Sequence, residues 1–254
     1  MSGDIETQAV GHIGVVELCR PPHNYFDAAL LTAVVDSIST FDEDPRIRVI
    51  LLAAEGKSFC AGANFVPPSG EQRGFGGEQL YRQAERLFRT AKPIVAAVQG
   101  WAIGGGLGLA MAADFRVASP ETKFAANFTA IGYHPGFGLT VTLPRVIGAQ
   151  RAALLMTTGR TISGEQAAAM GLVDQLASAA ELREAAMAFA GELASVAPLA
   201  LQATRATLRA DLADRVAEAL AVELAAQVRL RETHDFQEGV AARKDRRQPR
   251  FTGA

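Results

Sequence analysis

Two short segments of small residues are the strongest candidates for chemistry that uses the protein backbone. Ala61-Gly62-Ala63 follows an apolar run, at the predicted end of a buried strand, and side chains this small let a ligand approach the main chain closely. Gly104-Gly105-Gly106 lies between a predicted strand and a predicted helix, where unpaired N–H groups and the helix dipole favour negative charge. If the segments converge, one N–H from each can hold a carbonyl oxygen and stabilise an enolate.

The triple glycine has a structural alternative, which is a tight backbone crossing without a ligand. It does not match a dinucleotide-binding fingerprint, because Leu109 stands where a third glycine is expected and Asp114 follows too soon to reach a ribose. The sequence also contains no Walker-type phosphate loop and no Gly-x-Ser-x-Gly nucleophile elbow. The spacing alone leaves the choice between a binding site and a crossing open.

His134 is the ionisable residue best suited to act as a general base, since imidazole exchanges protons near neutral pH. The alternative is a loop histidine that bonds to the backbone. His23, beside Asn24, is a weaker candidate, and we expect His12 and His234 at the surface. Three glutamates lie in a predicted mobile loop and in the helix after it, where a solvated face is the default expectation: Glu71, Glu78 and Glu85.

The first two thirds of the chain alternate predicted strands and helices. A nearly continuous apolar run over residues 48–54 is typical of a strand that is covered on both faces. The alternation predicts right-handed crossovers, with helices packed on a sheet. The predicted strands cover residues 15–18, 48–54, 93–98, 115–118 and 123–125, and the predicted helices cover residues 27–41, 79–90 and 107–113.

The last third of the chain has a different character. From Ser163 onward Ala and Leu dominate, which predicts long helices over residues 180–196 and 199–231 and no further strands. Apolar residues recur along the second of these helices from Leu201 to Val228. A helix that is apolar over this length needs a partner, and another subunit is the natural one.

The composition narrows the class of protein. A chain of 254 residues, 49% of them hydrophobic, can bury one sizeable core. The formal net charge of −2 argues against a nucleic-acid partner, which usually requires a basic excess. Basic residues cluster only between Arg243 and Arg250, where a solvated tail is the simpler interpretation.

We expect a cytoplasmic protein that has no membrane partner, no metal and no cofactor other than a group carried by its substrate. Residues 1–10 show no apolar run typical of a signal peptide. The longest apolar stretch, residues 93–113, is interrupted by Gln99 and rich in glycine, which favours a buried strand and helix over a membrane span. Cys19 and Cys60 are expected to be small core residues.

Two longer stretches carry a family resemblance. Residues 57–64, KSFCAGAN, and residues 92–106, KPIVAAVQGWAIGGG, closely resemble the two signature segments of the crotonase (enoyl-CoA hydratase/isomerase) superfamily. Further matches occur in the family's order along nearly the whole chain. They are Arg20-Pro21 with Asn24, Pro135-Gly136, Leu143-Pro144-Arg145 with Gly148, residues 171–174, Asp235 with Glu238-Gly239, and residues 245–251.

The resemblance implies an α/β fold in which a spiral of ββα units is followed by helices that build trimers, often paired into hexamers. We accordingly divide the chain into an acyl-CoA-binding core, residues 1–195, and a helical trimerisation segment, residues 196–254. The oxyanion donors of the family map onto the backbone N–H groups of Ala63 and Gly105. The implied substrate is an acyl-coenzyme A thioester, whose coenzyme A is bound as part of the substrate. By the same resemblance, the residues that bind the substrate or its CoA are Ala61, Asn64, Phe65, Gly104, Phe128 and Arg246.

The sequence departs from the family at its acid and base positions. The two glutamates of the family's hydratases map onto Gly108 and Phe128, neither of which can transfer a proton. Gly136, where some relatives carry an aspartate, is not ionisable either. Phe128 would make the acyl pocket less polar, which favours an apolar acyl group and disfavours an ordered water. Other aromatic residues can line this pocket or simply pack in the core: Tyr25, Phe65, Phe75 and Phe137.

These observations lead to one function and two alternatives. We expect an acyl-CoA enzyme that forms an enolate-like intermediate by chemistry other than two-glutamate hydration, with His134 as the candidate base. A protein that binds acyl-CoA without turning it over is the alternative from another class. A purely structural oligomer without affinity for CoA is the third.

Overall fold

The computed structural model of the chain describes residues 3–63 and 77–254. Its main sheet has six strands in the order β1-β2-β3-β4-β6-β9, in which only β1 is antiparallel to its neighbour. These strands are β1 (Ile5–Val10), β2 (Ile13–Leu18), β3 (Val49–Ala54), β4 (Ile94–Val98), β6 (Phe115–Ala118) and β9 (Gln175–Leu176). A second sheet, in the order β5-β7-β8, contains β5 (Trp101–Ile103), β7 (Lys123–Ala125) and β8 (Thr161–Ser163).

Helices alternate with the strands in the first part of the chain and dominate the last part, as predicted. The helices between the strands are α1 (Ala28–Glu43), α2 (Gly77–Phe88), α3 (Gly105–Ala112), α4 (Leu139–Ile147), α5 (Ala149–Thr158) and α6 (Gly164–Ala169). The last four are α7 (Leu182–Ser195), α8 (Pro198–Leu208), α9 (Leu212–Arg231) and α10 (His234–Lys244), and a 3₁₀ turn covers Thr129–Ile131.

The main sheet is covered on both faces, which confirms the prediction that residues 48–54 form a strand buried on both sides. Alternate residues of one strand enter different clusters, so that Ile50 and Leu52 face the large core while Val49 and Leu51 face the smaller one. Helix α7 closes the smaller cluster. Its alanines recur every fourth residue and let the helix approach the sheet closely, at Ala186, Ala190 and Ala194.

Several predicted elements were wrong in detail. Strands β1, β5 and β8 and helices α4, α5, α6 and α10 were missed, and β9 lies in the part of the chain where no strand was predicted. Ala61–Ala63 does not end a regular strand. It lies between two isolated parallel bridges, Cys60 with Ala102 and Phe26 with Ala63. The predicted helix over residues 199–231 is interrupted after Leu208.

Buried ion pairs tie the end of α8 to the core. Arg205 and Arg209, four residues apart on one helical face, both bind the Asp114 carboxylate, at 2.9 Å and 2.8 Å. Helix α9 then packs on α2 and α4. The division into residues 1–195 and 196–254 stays a prediction, and these buried contacts tie the two parts closely together.

No single helix in the described ranges has both the length and the apolar character needed to cross a membrane. Helices α7 and α8 reach that length and composition only as a pair, and the chain bends by 103° between them. The inner face of α7 is buried against the main sheet, at Leu182, Ala186 and Ala190.

Candidate active site

The two small-residue segments that were predicted to converge are in contact. The Cys60 N–H donates to Trp101 O at 3.1 Å, and the Ile103 N–H donates to Cys60 O at 3.1 Å. A β-carbon added at Gly62 would lie 2.7 Å from the Ile103 oxygen and 3.5 Å from the Gly105 nitrogen. The backbone just before Ala63 therefore lies directly beside the N-terminus of α3.

Glycine is required on both sides of this contact. Gly62 has φ +80° and Gly104 has φ +56°, in a region that residues with a β-carbon rarely adopt. A β-carbon at Gly106 would overlap the Cys60 carbonyl group. The crossing is thus tight, as the structural alternative for the triple glycine predicted, and the crossing also aligns two backbone segments.

The N–H groups of Ala63 and Gly105 are free to bind an acceptor. Gly105 is the first residue of α3, so its N–H has no intrahelical acceptor. Within the described ranges, neither the Ala63 N–H nor the Gly105 N–H donates a hydrogen bond. The Gly104 N–H is already used, since it donates to Ala125 O at 2.8 Å. The helix dipole adds partial positive charge at this point, which suits an oxyanion.

Three phenylalanine rings surround the start of α3. A β-carbon at Gly104 would lie 3.6 Å from the Phe128 ring, and one at Gly105 would overlap the Phe26 ring. A β-carbon at Gly108 would lie 2.5 Å from Phe137 Cβ. The Phe26 and Phe137 rings meet edge to face, with centroids 5.8 Å apart. The rings make this end of α3 strongly apolar.

The other residues that were predicted to line the pocket differ in exposure, and some lie outside the described ranges. Tyr25 is 40% exposed, while Phe128 and Phe137 are buried. Asn64, Phe65 and Phe75 lie outside the described residues, as does Glu71. Ala61 is half-buried, and its N–H donates to His23 O at 3.0 Å.

His134 is half-buried, in a turn that precedes α4. Its Nδ1 lies 2.7 Å from the Pro135 carbonyl oxygen, which is the backbone bond that the alternative interpretation predicted. A carbonyl oxygen can only accept, so Nδ1 carries the proton in this contact. In the neutral ring Nε2 then keeps its lone pair, which is the state that a general base needs.

The turn that follows His134 is strained. Phe137 has φ 62° and Gly138 has φ 71°, so two consecutive residues are left-handed. This conformation costs a bulky residue about 1–3 kcal/mol, and other contacts must compensate. The carboxylate of Glu223 accepts hydrogen bonds from the Gly138 N–H at 2.8 Å and the Thr140 N–H at 3.1 Å.

A second pair of buried groups lies next to the same turn. The Tyr81 hydroxyl donates to Gln227 Oε1 at 2.8 Å, and Gln227 Nε2 donates to His134 O at 2.9 Å. Burial raises the pKa of the Tyr81 phenol, although a hydrogen bond from the Phe137 backbone acts in the opposite direction. Burial also raises the pKa of Glu223, against the opposing hydrogen bonds of the turn.

The remaining candidate residues lie apart from these contacts or have structural roles. Arg246 is exposed, at φ 55°, just after α10. His23 Nδ1 lies 3.0 Å from Ser58 Oγ. His12 and His234 are exposed, which confirms their predicted surface positions.

The cysteines are free, and only Cys60 is fully buried. Cys19 is half-buried, contrary to the core position predicted for it, and lies beside the exposed Glu6 and Glu55, with potential ligand atoms all within 4.8 Å of one another. Partial burial and the neighbouring carboxylates raise the pKa of the Cys19 thiol, which favours the protonated thiol over the thiolate that a metal would bind.

The comparisons with known proteins identify the family of this chain. A sequence profile of the Enoyl-CoA hydratase/isomerase family matches residues 8–254. The chain belongs to this family. This enoyl-CoA hydratase/isomerase family member is 31% identical over 247 residues to the crotonyl-CoA hydratase of Syntrophomonas wolfei, with 94% of each protein covered. It is 33% identical over 259 residues to the (E)-benzylidenesuccinyl-CoA hydratase of Thauera aromatica, covering 98% of the chain and 99% of the relative.

The fold of this family member is also found in solved structures. The crystal structure of an enoyl-CoA hydratase/isomerase from Pseudoalteromonas atlantica T6c matches it with a TM-score of 0.88 at 27% identity, covering 98% of this chain and 100% of the other. These matches confirm the predicted crotonase resemblance and the α/β fold with its helical C-terminal region.

Sequence reasoning missed four residues around the site of this family member. Phe26 directly follows Asn24-Tyr25, so its position in the motif was an available signal. Glu223 and Gln227 interrupt the buried stripe of α9 with polar side chains four residues apart, which was also a signal. Tyr81 had none, because only the fold brings α2 next to the turn before α4.

Proposed function

We propose that this chain binds an acyl-CoA thioester and stabilises its enolate with the backbone N–H groups of Ala63 and Gly105. The observation that carries the proposal is that, among the residues the structure describes, the N–H groups of Ala63 and Gly105 donate no hydrogen bond and lie on two segments that touch beside the N-terminus of α3. In other enzymes, loss of one such donor reduces transition-state stabilisation by about 3–4 kcal/mol.

The reaction begins with removal of a proton from the carbon next to the thioester carbonyl. The C–H bond breaks, its electron pair forms the enolate C=C bond, and the carbonyl π pair moves onto the oxygen. The two N–H groups stabilise the negative oxygen. Nε2 of His134 accepts the proton, which it can do because Nδ1 already donates to Pro135 O.

The residues near α3 favour a reaction other than hydration by two carboxylates. Gly108 and Phe128 occupy the positions that the resemblance assigns to the hydratase glutamates. Gly108 has no space for a longer side chain while Phe137 packs against it. The three phenyl rings favour an apolar or aromatic acyl group, and two relatives act, by their names, on crotonyl-CoA and (E)-benzylidenesuccinyl-CoA.

The proposal is tested with the purified protein and a panel of saturated and unsaturated acyl-CoAs in D2O. Deuterium incorporation at the carbon next to the carbonyl, read by mass spectrometry, is expected for at least one apolar acyl-CoA. His134→Gln should reduce this exchange by about 10²-fold or more, while His12→Gln is the matched surface control. Hydration of crotonyl-CoA at ordinary enzymatic rates would contradict the proposed departure from two-glutamate chemistry.

Binding without turnover is the second candidate, favoured by the absence of an ionisable side chain at Gly108, Phe128 and Gly136. It predicts saturable binding of acyl-CoA in calorimetry without exchange or product for any member of the panel. A structural oligomer predicts no heat of binding.

We also propose that copies of this chain associate through α8 and α9, as the resemblance to a trimeric family implies. The described outer faces of these helices expose large apolar side chains, which a second subunit would cover. Light scattering coupled to gel filtration should give a mass of three or six chains, and Val222→Glu should lower it. The exposed residues are Leu199 (80%), Leu208 (67%), Val222 (68%) and Val228 (51%).

A further inference from the structure

Helix α9 carries a buried carboxylate that the proposed chemistry does not use. Glu223 is 1% exposed and Gln227 is 5% exposed, on the helix face that continues from Val216 and Leu220. A carboxylate is rarely buried to this degree unless its oxygens are bound by several donors. The hydrogen-bond donors around the Glu223 carboxylate therefore indicate its structural role.

All the groups that bind Glu223 are donors, and they lie at the N-terminus of α4, on its N-cap Gly138 and on Thr140. Oε2 accepts from the Gly138 N–H, and Oε1 accepts from both the N–H and the hydroxyl of Thr140, the latter at 2.6 Å. Three donors of this kind suit the ionised carboxylate. The carboxylate thus holds the strained backbone that contains Phe137.

Gln227 and Tyr81 hold the other end of the same turn. Gln227 bridges the Tyr81 hydroxyl and the His134 carbonyl oxygen. A β-carbon at Gly136 would lie 2.5 Å from Gln227 Nε2 and would overlap the Tyr81 hydroxyl. These two side chains therefore occupy the space where a side chain at position 136 would begin.

We propose that Glu223, assisted by Gln227, is a positioning residue that holds residues 134–140 in the geometry needed for the reaction. The turn carries His134 at one end and Phe137 in its middle, and the Phe137 ring packs against Phe26 and fills the space beside Gly108. One face of α9 thereby fixes both the candidate base and one wall of the acyl pocket. The inference rests on the proposed function.

The test compares Glu223→Gln with Glu218→Gln, since Glu218 is an exposed carboxylate on the same helix. Glu223→Gln keeps the size of the side chain but turns an N–H group toward backbone donors. We expect kcat for deuterium exchange to fall by about 10- to 100-fold while KM changes less than about threefold, because misplacement of the base affects the chemical step. Glu223→Asp should recover part of kcat, and Glu218→Gln should leave both constants unchanged.

A double-mutant cycle separates positioning from a general loss of structure. If Glu223 acts through the turn, Glu223→Gln should add little to the loss already caused by His134→Gln. If Glu223→Gln does not fold, Thr140→Val removes only the hydroxyl donor and should give a smaller loss of kcat with the same unchanged KM. Full additivity, or equal effects on kcat and KM, would overturn the inference.

Amide hydrogen exchange gives a readout that needs no activity. In Glu223→Gln the amides of Gly138 and Thr140 should lose protection by about tenfold or more, while the strands of the main sheet keep theirs. Unchanged protection at both amides would overturn the inference even in an active enzyme. Absence of thioester binding by the wild-type protein would instead remove the proposed function, and the exchange data would still show whether Glu223 holds the turn.

Discussion

Gly108 packs directly against Phe137, so that a β-carbon at position 108 would lie 2.5 Å from Phe137 Cβ. The position that the resemblance assigns to a hydratase glutamate is therefore closed by a ring from the turn before α4. Gly108→Ala should lower the free energy of unfolding by about 1–3 kcal/mol, because the overlap forces the turn or the helix to shift. Urea denaturation measures this change.

The partner variant tests whether the ring causes the loss. Phe137→Gly alone should cost about 3–5 kcal/mol through lost burial, reduced somewhat by relief of the left-handed strain. In the Phe137→Gly background, Gly108→Ala should cost less than about 0.5 kcal/mol. The control is Gly191→Ala, a helical glycine with open space around it, which should gain about 0.5–1 kcal/mol. Additive losses at 108 and 137 would contradict the steric explanation.

The acyl pocket gives a second prediction. Phe128 is buried and its ring lies beside Gly104, so Phe128→Ala should open room next to the thioester site. The ratio of kcat/KM for a branched or aromatic acyl-CoA to that for a short linear one should rise by about 10-fold or more, measured by deuterium exchange. Phe189→Ala, which removes a ring that packs against Phe115 at a tilted angle outside this site, should leave the ratio unchanged. An unchanged ratio in Phe128→Ala would remove Phe128 from the pocket.

The two small-residue segments were predictable because their signals are local. Gly62 and Gly104 have positive φ and Gly106 approaches the Cys60 carbonyl group, so these positions require glycine for backbone reasons, and the glycines are visible in the sequence itself. Strand β3 was predictable from a local signal as well, since all six of its residues are apolar and both of its faces are buried.

The other parts of the site depend on contacts between distant residues. A spacing of four residues rotates by about 40° per step on an α-helix, so the apolar stripe that begins at Leu212 drifts away from the core by Val228. The buried face passes instead to Glu223 and Gln227, while Val228 is 51% exposed. Asp114 likewise binds two arginines, Arg205 and Arg209, that lie 91 and 95 residues away in the sequence.

That ion-pair cluster gives a third prediction. Asp114 binds Arg205 and Arg209 and also accepts the Ile94 N–H at 2.8 Å. Asp114→Asn should lower the free energy of unfolding by about 3–5 kcal/mol, because two mostly buried guanidinium groups lose their counter-charge. Arg209→Met should cost less than about 1.5 kcal/mol, since Asp114 keeps Arg205 and a partly unsatisfied cation is removed.

Chemical denaturation measures the free energy of unfolding of these two variants and of a control variant in an exposed ion pair. Glu78→Gln breaks the exposed ion pair with Arg82 and should change stability by less than about 0.5 kcal/mol. If Arg209→Met were as damaging as Asp114→Asn, the stability of the cluster would depend on all three charges together.

The C-terminal tail gives a prediction for pH. Glu238 accepts hydrogen bonds from Arg247 and from the Arg250 N–H, and these lower its pKa from an ordinary value near 4.5 to about 2. A carboxylate whose pKa is lowered by folding stabilises the folded state above the unfolded pKa and loses that effect as pH falls through the folded pKa. The tail around Arg246 should therefore stay docked down to about pH 4.5 and loosen progressively toward pH 2.

The Arg250 amide resonance follows this change directly, because its proton is bound by the titrating carboxylate. We expect its chemical shift to titrate with a midpoint near pH 2 in the wild-type protein, and we expect Glu238→Gln to remove that titration. Glu232→Gln, a substitution at an exposed glutamate before α10, should leave it unchanged. A midpoint near 4.5 would mean that Arg247 does not stabilise the carboxylate, and the tail would then owe its position to Asp235, which accepts the Thr252 and Gly253 N–H groups.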